Sequence, residues 1–308
     1  MQPHIGITGG TGLVGNAVAT LLAGAGYPVT IFSRSRKHTF PEGCRIAHWD
    51  PAKKEIDTVA LNRLTDVIHL AGAGIADHRW TKTYKKILAE SRVDLTHFLQ
   101  AQLKQYAPGC KNFVAASAVG YYGPDRSGAA LPFKEDAPAY NDFLGRLCQQ
   151  WEIASLSRAD EMRTVIFRFG VVLSPRGGAY PRLTQAARLG VLPVLGSGRQ
   201  NMSWIHIADL ATLLFQSVTH EKFCGVYNAV AAATPQKELM RHFAEAIPGK
   251  QVLTPVPAFL LRLGWGESST ELLKSCTVSN EKIKSEGATF QYPDIESAAQ
   301  ALAGTQRT

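Results

Sequence analysis

Hydrophobic positions change period repeatedly along the first three quarters of this chain. Short apolar runs alternate with stretches in which apolar residues recur every three or four positions, the signature of strands alternating with helices. Ile5-Gly6-Ile7 is followed by Leu13, Val14, Ala17, Val18, Leu21, Leu22 and Ala25 at helical spacing. Strands are predicted at Val29–Phe32, Cys44–Trp49, Asp66–Leu70, Asn112–Ser117, Thr164–Phe169, Ser203–Ile207 and Val226–Ala229. Between them the pattern gives a short helix at Val59–Leu64 and long ones at Lys82–Tyr106 and Asp142–Glu161. A further helix is predicted near Tyr180–Leu189, and another at Leu210–Val218 with Asp209 as its cap. Thr81 is placed to cap the Lys82 helix. The remainder reads as helices at Pro235–Ala246, Pro257–Leu263, Ser269–Leu273, Asn280–Glu286 and Pro293–Leu302. Alternating βα units followed by helices imply an α/β fold: a Rossmann-type doubly wound parallel sheet with a smaller, mostly helical C-terminal substrate region. Residues 1–172 and 203–229 are assigned to the first part, 173–202 and 230–308 to the second.

The first strand runs into Thr8-Gly9-Gly10-Thr11-Gly12-Leu13-Val14-Gly15. A glycine turn between a strand and a helix seats a pyrophosphate on the helix N-terminus. One glycine allows the tight turn, one lets backbone approach phosphate, and one lets helix and strand pack closely. Here they are Gly9, Gly12 and Gly15, spaced G-x-x-G-x-x-G. An NAD site places an acid about 20 residues further on, against the adenosine ribose. This chain has Ser33-Arg34 there, with no acid. An Arg grips a 2′-phosphate bidentately, so the cofactor expected is NADP(H). A polar strand end would also read this way. Ala71-Gly72, where the fourth strand stops, suits either cofactor contact or a simple turn. His69, inside that strand, reads as a core histidine. Ser117, at the end of the fifth strand, is followed by Tyr121 and Tyr122, where an open α/β sheet places its chemistry. Trp80, with Arg79, either lines a pocket or staples the helix entry. His206 and Asp209 fit a packed histidine and a cap better than a catalytic dyad, and Arg168 calls for a buried carboxylate.

Composition narrows the partners. The 308 residues carry a net charge of +8, with 45% apolar and 19% charged residues. The basic balance suits an anionic small molecule. The densest basic run is Arg34-Ser35-Arg36-Lys37, and no arginine-rich tail or zinc-finger spacing is present, so nucleic acid is not expected. No apolar run reaches the roughly 18 residues of a membrane span. Five scattered cysteines offer neither a disulfide framework nor a metal site, and the reading is cytoplasmic with no metal.

Together these stretches resemble the extended short-chain dehydrogenases/reductases, of the NAD-dependent epimerase/dehydratase type. More narrowly, they resemble the atypical YfcH-like "epimerase family" branch. The residues that carry the likeness are the glycine turn, Ala71-Gly72 with Arg79-Trp80, and Ser117 to Gly123. Gly196-Ser197-Gly198-Arg199-Gln200, Trp204 to Leu210 and Pro255-Val256-Pro257-Ala258-Phe259 complete it. The resemblance implies cofactor contacts at Gly9, Thr11, Gly12, Leu13, Val14, Gly15, Ser33, Arg34, Ala71, Gly72 and Ser117. It also implies a C-terminal part that closes over a substrate, and a possible homodimer through the helices after Thr81 and Asp142. Active relatives pair Ser with Tyr-x-x-x-Lys, the Lys lowering the Tyr pKa. Here Tyr140 plus four is Leu144, and Phe143 plus four is Leu147. Arg146 is one position off, about 100° around the helix. Three readings follow. An oxidoreductase or epimerase would act on a small carbonyl or hydroxyl substrate with a rebuilt acid/base, Ser117 bonding the carbonyl and Tyr121 or Tyr122 giving the proton. A cofactor-binding sensor would have a degenerate site. A nucleotide-sugar enzyme of the usual kind would need the missing pair, and a diphosphate grip from Arg176, Arg182, Arg188 or Arg199. Exposed surface charge explains those arginines equally well.

Overall fold

The computed structural model describes residues 2–35, 40, 42–125 and 131–304. Arg36 and Lys37 of the basic run lie outside them, as do residues 305–308 of the C-terminal region. Eight strands form one sheet in the order β12-β7-β6-β5-β1-β2-β3-β4. They are β1 (Ile5–Thr8), β2 (Val29–Ser33), β3 (Cys44–Asp50), β4 (Glu55–Ile56), β5 (Asp66–His69), β6 (Asn112–Ala118), β7 (Arg163–Phe169) and β12 (Gly225–Ala229). All pairings are parallel except that of the short edge strand β4 with β3. The inner strands β1, β2, β5, β6 and β7 are near-continuously buried, as strands covered on both faces must be. On one face α1 (Leu13–Gly24) packs beside α7 (Ile207–Thr219). On the other lie α3 (Lys82–Ala89), α4 (Leu95–Tyr106) and α5 (Phe143–Ser155), after the short α2 (Thr58–Leu61).

The single long helix expected over Lys82–Tyr106 is α3 and α4 joined by a π-helical stretch at Glu90–Asp94. Thr81 caps it, accepting the Tyr84 N–H. Asp209 does not cap α7. His206 does, through Nδ1 accepting the Ala208 N–H at 3.2 Å. The Asp209 carboxylate instead accepts the N–H groups of Gln291 and Tyr292 (2.6 and 3.1 Å), tying the C-terminal chain to α7. His69 is a core histidine, hydrogen-bonded with Thr8 (2.7 Å) and Thr96 (3.0 Å).

The C-terminal part holds more strand than the sequence pattern predicts. Strands β8 (Val171–Ser174), β9 (Gly177–Gly178), β11 (Asn201–His206) and β13 (Ala232–Pro235) form a second sheet, order β13-β11-β8-β9. Strands β10 (Val191–Leu195) and β14 (Val252–Val256) pair in parallel as a third. Around them lie α6 (Ala179–Leu183), α8 (Gln236–Ala246), α9 (Ala258–Trp265), α10 (Ser269–Leu273), α11 (Glu281–Ser285) and α12 (Ile295–Gly304). Among the described residues no helix is long and apolar enough to cross a membrane.

Candidate functional site

The glycine turn and α1 form the first half of the site. Gly9 has φ +71, and a Cβ there would sit 2.7 Å from the Leu70 carbonyl, so the turn is pressed against the chain leaving β5. A Cβ on Gly15 would overlap the Gly9 carbonyl and the Gly10 Cα, so only glycine lets α1 start this close to β1. Gly12 is the N-cap of α1, with no side-chain cap bond and no acid in the first turn. Thr11 and Gly12 are exposed, and Leu13 and Val14 are half-buried. A helix start left bare in this way presents N–H groups and partial positive charge to an anion.

The sheet order sets out the rest. Along the carboxyl edge β2, β1, β5 and β6 are successive neighbours. Ser33 and Arg34, the glycine turn, Ala71 and Gly72, and Ser117 therefore stand in a row, and a dinucleotide can lie across them. Ser33 closes its own turn with Ser35, its hydroxyl donating to the Ser35 carbonyl at 3.0 Å. Arg34 is exposed and has no ion pair or hydrogen bond among the described residues. The bare helix start and the free guanidinium fit a dinucleotide that carries an extra phosphate.

Next to Gly72 stands a residue that the sequence reading missed. The π-helical turn sets Ser91 and Arg92 against the Ala71–Gly74 loop. The Ser91 hydroxyl accepts the Ala73 N–H (3.1 Å), and Arg92 donates to the Ala73 carbonyl (2.9 Å). The guanidinium carbon would lie 3.4 Å from a Cβ on Gly72. It also sits 5.2 Å from the Trp151 ring. Burial pulls the Arg92 pKa down, and it has no carboxylate partner among the described residues. The signal was present in the sequence: Arg92 falls four positions after Leu88 and one before Val93, on the helix's apolar side.

At the β6 end the polar groups are inside the protein. Ser117 is 2% exposed and donates to Glu152 Oε1 at 2.6 Å. Arg168 closes a bidentate pair on Glu152, both bonds at 2.8 Å, which supplies the carboxylate that its place in an apolar strand required. The same guanidinium donates to the Tyr122 hydroxyl (2.7 Å), which in turn donates to Asn228 Oδ1 (2.8 Å). Burial lowers the Arg168 pKa, but Glu152 and Tyr122 more than offset this and hold it protonated. Burial pushes the Tyr122 phenol up to about 12 against the opposing pull of Arg168. Tyr122 is fully buried, so it is part of the core and not a proton donor facing a substrate. Tyr121 is different. Its half-buried ring lies 3.5 Å from the Arg168 guanidinium carbon, and its hydroxyl has no hydrogen bond among the described residues.

Of the two substrate candidates, Trp80 staples the helix entry. Its indole donates to the Ile75 carbonyl (2.9 Å), and its ring meets Phe143 at 5.2 Å. Arg199 is exposed, beside Lys237 and Arg241 in a cavity of about 450 Å³ that no cofactor candidate lines. Arg182 is held by Asp77 and the Ala76 carbonyl. No cluster of metal-ligating side chains occurs among the described residues.

Residues 5–229 match the model of the NAD dependent epimerase/dehydratase family. The chain belongs to that family. Residues 256–302 match a domain of unknown function, DUF1731. The mouse epimerase family protein SDR39U1 is 33% identical over 297 residues, covering 95% of this chain and 97% of the relative. Epimerase family protein SSP1921 of Staphylococcus saprophyticus is 32% identical, covering 97% and 99%. The crystal structure of human SDR39U1 (isoform 2) with NADPH superposes with a TM-score of 0.85 at 28% identity, covering 98% of this chain and 99% of that one.

The start of α5 lacks the Tyr-x-x-x-Lys pair that the resemblance implies. Asp142 caps it, accepting the Gly145 N–H at 2.7 Å. Phe143, Leu144, Leu147 and Cys148 then pack with Trp80, Tyr84 and Leu88. Where a Tyr-x-x-x-Lys pair would stand there is an apolar cluster. A cation beside it, Lys85, comes from the neighbouring helix α3, its ammonium 4.8 Å from the Phe143 ring.

Proposed function

We propose that this chain binds NADP(H) along the β2–β1–β5–β6 edge and uses it as an oxidoreductase or epimerase-like enzyme on a small carbonyl or hydroxyl substrate. The observation that carries the reading is the free, exposed Arg34 one strand away from a bare helix start. The NADPH in the human SDR39U1 crystal supports the choice of nicotinamide cofactor. Arg34 takes the 2′-phosphate and the backbone from Thr11 to Gly15 takes the pyrophosphate. Arg92, aimed at Gly72, takes oxygens of the nicotinamide half. The chemistry NADP(H) brings is hydride transfer. Tyr121 supplies the proton, with the buried Arg168 fixing its ring and holding positive charge behind it. Ser117, committed to Glu152, positions Arg168 and not the substrate.

The apolar start of α5 favours a second reading, a protein that binds NADP(H) and turns over little. One experiment separates them. Protein with NADPH is mixed with a panel of small aldehydes and ketones, and nicotinamide absorbance is followed. Turnover that Tyr121→Phe abolishes at unchanged NADPH affinity supports the enzyme. Tight binding with no turnover supports the second reading, and turnover unaffected by Tyr121→Phe removes the proposed donor.

A further inference from the structure

The opposite edge of the sheet holds a basin that the cofactor reading leaves unused. It has a volume of about 780 Å³ and lies where β1, β2 and β3 begin. Its walls include His4, Tyr27, Cys44, Arg45 and Arg63, and no acid lines it among the described residues. Arg45 and Arg63 are exposed, and their guanidinium groups have no ion pair or hydrogen bond among the described residues. The His4 ring is held by Thr30 at 2.9 Å, and its backbone N–H by the Thr65 hydroxyl at 2.8 Å. The carboxylate nearest in sequence to Thr65, Asp66, is buried and engaged by Thr65 and Asn112. At the adjacent end of α1 the N–H groups of Ala25, Gly26 and Tyr27 engage the carbonyls of Leu21, Ala23 and Leu22.

We infer that this basin is a second small-molecule site, separate from the dinucleotide edge, which takes the phosphate group of a phosphorylated metabolite between Arg45 and Arg63. Two unpaired guanidiniums recognise a phosphate through parallel N–H bonds. The volume is in the range of small-ligand pockets and exceeds what a free ion needs, so the organic body of the ligand rests against the Tyr27 wall. His4 reports on the site. Burial, then Arg45 and Arg63, hold its pKa below the usual 6.5. Thr30, Thr65 and the half-buried Cys44 thiol are the other groups around it, and burial raises the thiol so that it stays neutral. A bound phosphate adds opposite charge and moves the His4 pKa upward.

The test follows the His4 imidazole by NMR pH titration, with and without inorganic pyrophosphate, against sodium chloride at equal ionic strength. The full chain is used, saturated with NADPH so that the glycine turn is filled. His4 is far from that turn and reads its own basin whether or not NADPH binds. A saturable rise of about one unit with pyrophosphate, at least tenfold weaker in affinity in Arg45→Gln/Arg63→Gln, supports the site. No rise, an equal rise in the double variant, or the same rise with chloride overturns it. Both arginines are exposed, so the variant keeps its fold, and its unchanged NADPH affinity checks this.

Discussion

At the β1–β2 end of the carboxyl edge the helix start is bare and the Arg34 guanidinium has no partner among the described residues. At the β6–α5 end the side chains are packed and paired. Ser117, Glu152, Arg168, Tyr122 and Asn228 form one continuous buried network. One end is open to a ligand, and its recognition groups cost the folded chain little to present. The other holds desolvated charge that must stay paired. Residues of similar sequence prominence therefore sit in different settings: Arg34 is exposed and unpaired among the described residues, while Arg168 is buried, bound to Glu152 and Tyr122, and lies against the Tyr121 ring.

This contrast makes graded predictions. The largest effect belongs to the paired end. Removing one partner of a buried ion pair strands the other, so Glu152→Gln should cost about 3–5 kcal/mol in urea unfolding. A cost below about 1 kcal/mol would show that the pair is wetter than its burial indicates.

Acid comes next. Burial lowers His69 to about 3 and His206 to about 4, so both stay neutral in the folded chain where an unfolded histidine takes a proton near 6.5. Their contribution is complete above about pH 6.5 and is lost as pH falls toward 4 and then 3. Each full unit of depression withdraws about 1.4 kcal/mol. His69→Gln should flatten the acid limb of a stability–pH curve, and an unchanged limb would move the cause elsewhere.

The neighbouring tyrosines give a sharper contrast. Tyr122→Phe leaves Asn228 and Arg168 short of a partner and should cost about 1–3 kcal/mol. Tyr121→Phe removes a hydroxyl that has no hydrogen bond among the described residues and should stay within about 0.5 kcal/mol. Equal costs would erase the distinction between the fully buried and the half-buried tyrosine.

At the open end the effect falls on binding alone. Arg34→Ala should weaken NADPH by roughly 10–100-fold and leave melting of the free protein unchanged. Arg92→Gln should weaken NADPH while sparing 2′,5′-ADP, which lacks the nicotinamide half. Loss of both ligands would place Arg92 at the adenosine end.

The geometry of the open end was legible in the sequence because its strand, turn and helix start sit in consecutive residues. The glycine turn and Ser33-Arg34 depend on local spacing alone. The paired end was not legible. Glu152 lies on α5 and Arg168 on β7, and only the parallel pairing of β6 with β7 brings Ser117 beside Arg168. Asp209 was misread because its acceptors' partners, Gln291 and Tyr292, are far along the chain. Strands β10 and β14 escaped because Pro193 and Pro255 interrupt their apolar runs, and a two-stranded edge tolerates proline. The π-helical turn at Glu90–Asp94 follows from Ser91 and Arg92 binding the Ala73 backbone, a contact that spacing does not encode.

The most direct measurement is a titration of cofactor-free protein with NADPH and NADH, followed by nicotinamide fluorescence in wild type and Arg34→Ala. The expected result is tight NADPH and weak NADH binding in the wild type, with that preference gone in the variant. Equal affinity for both cofactors in the wild type, or a preference that survives loss of Arg34, would contradict the assignment of the 2′-phosphate to this residue.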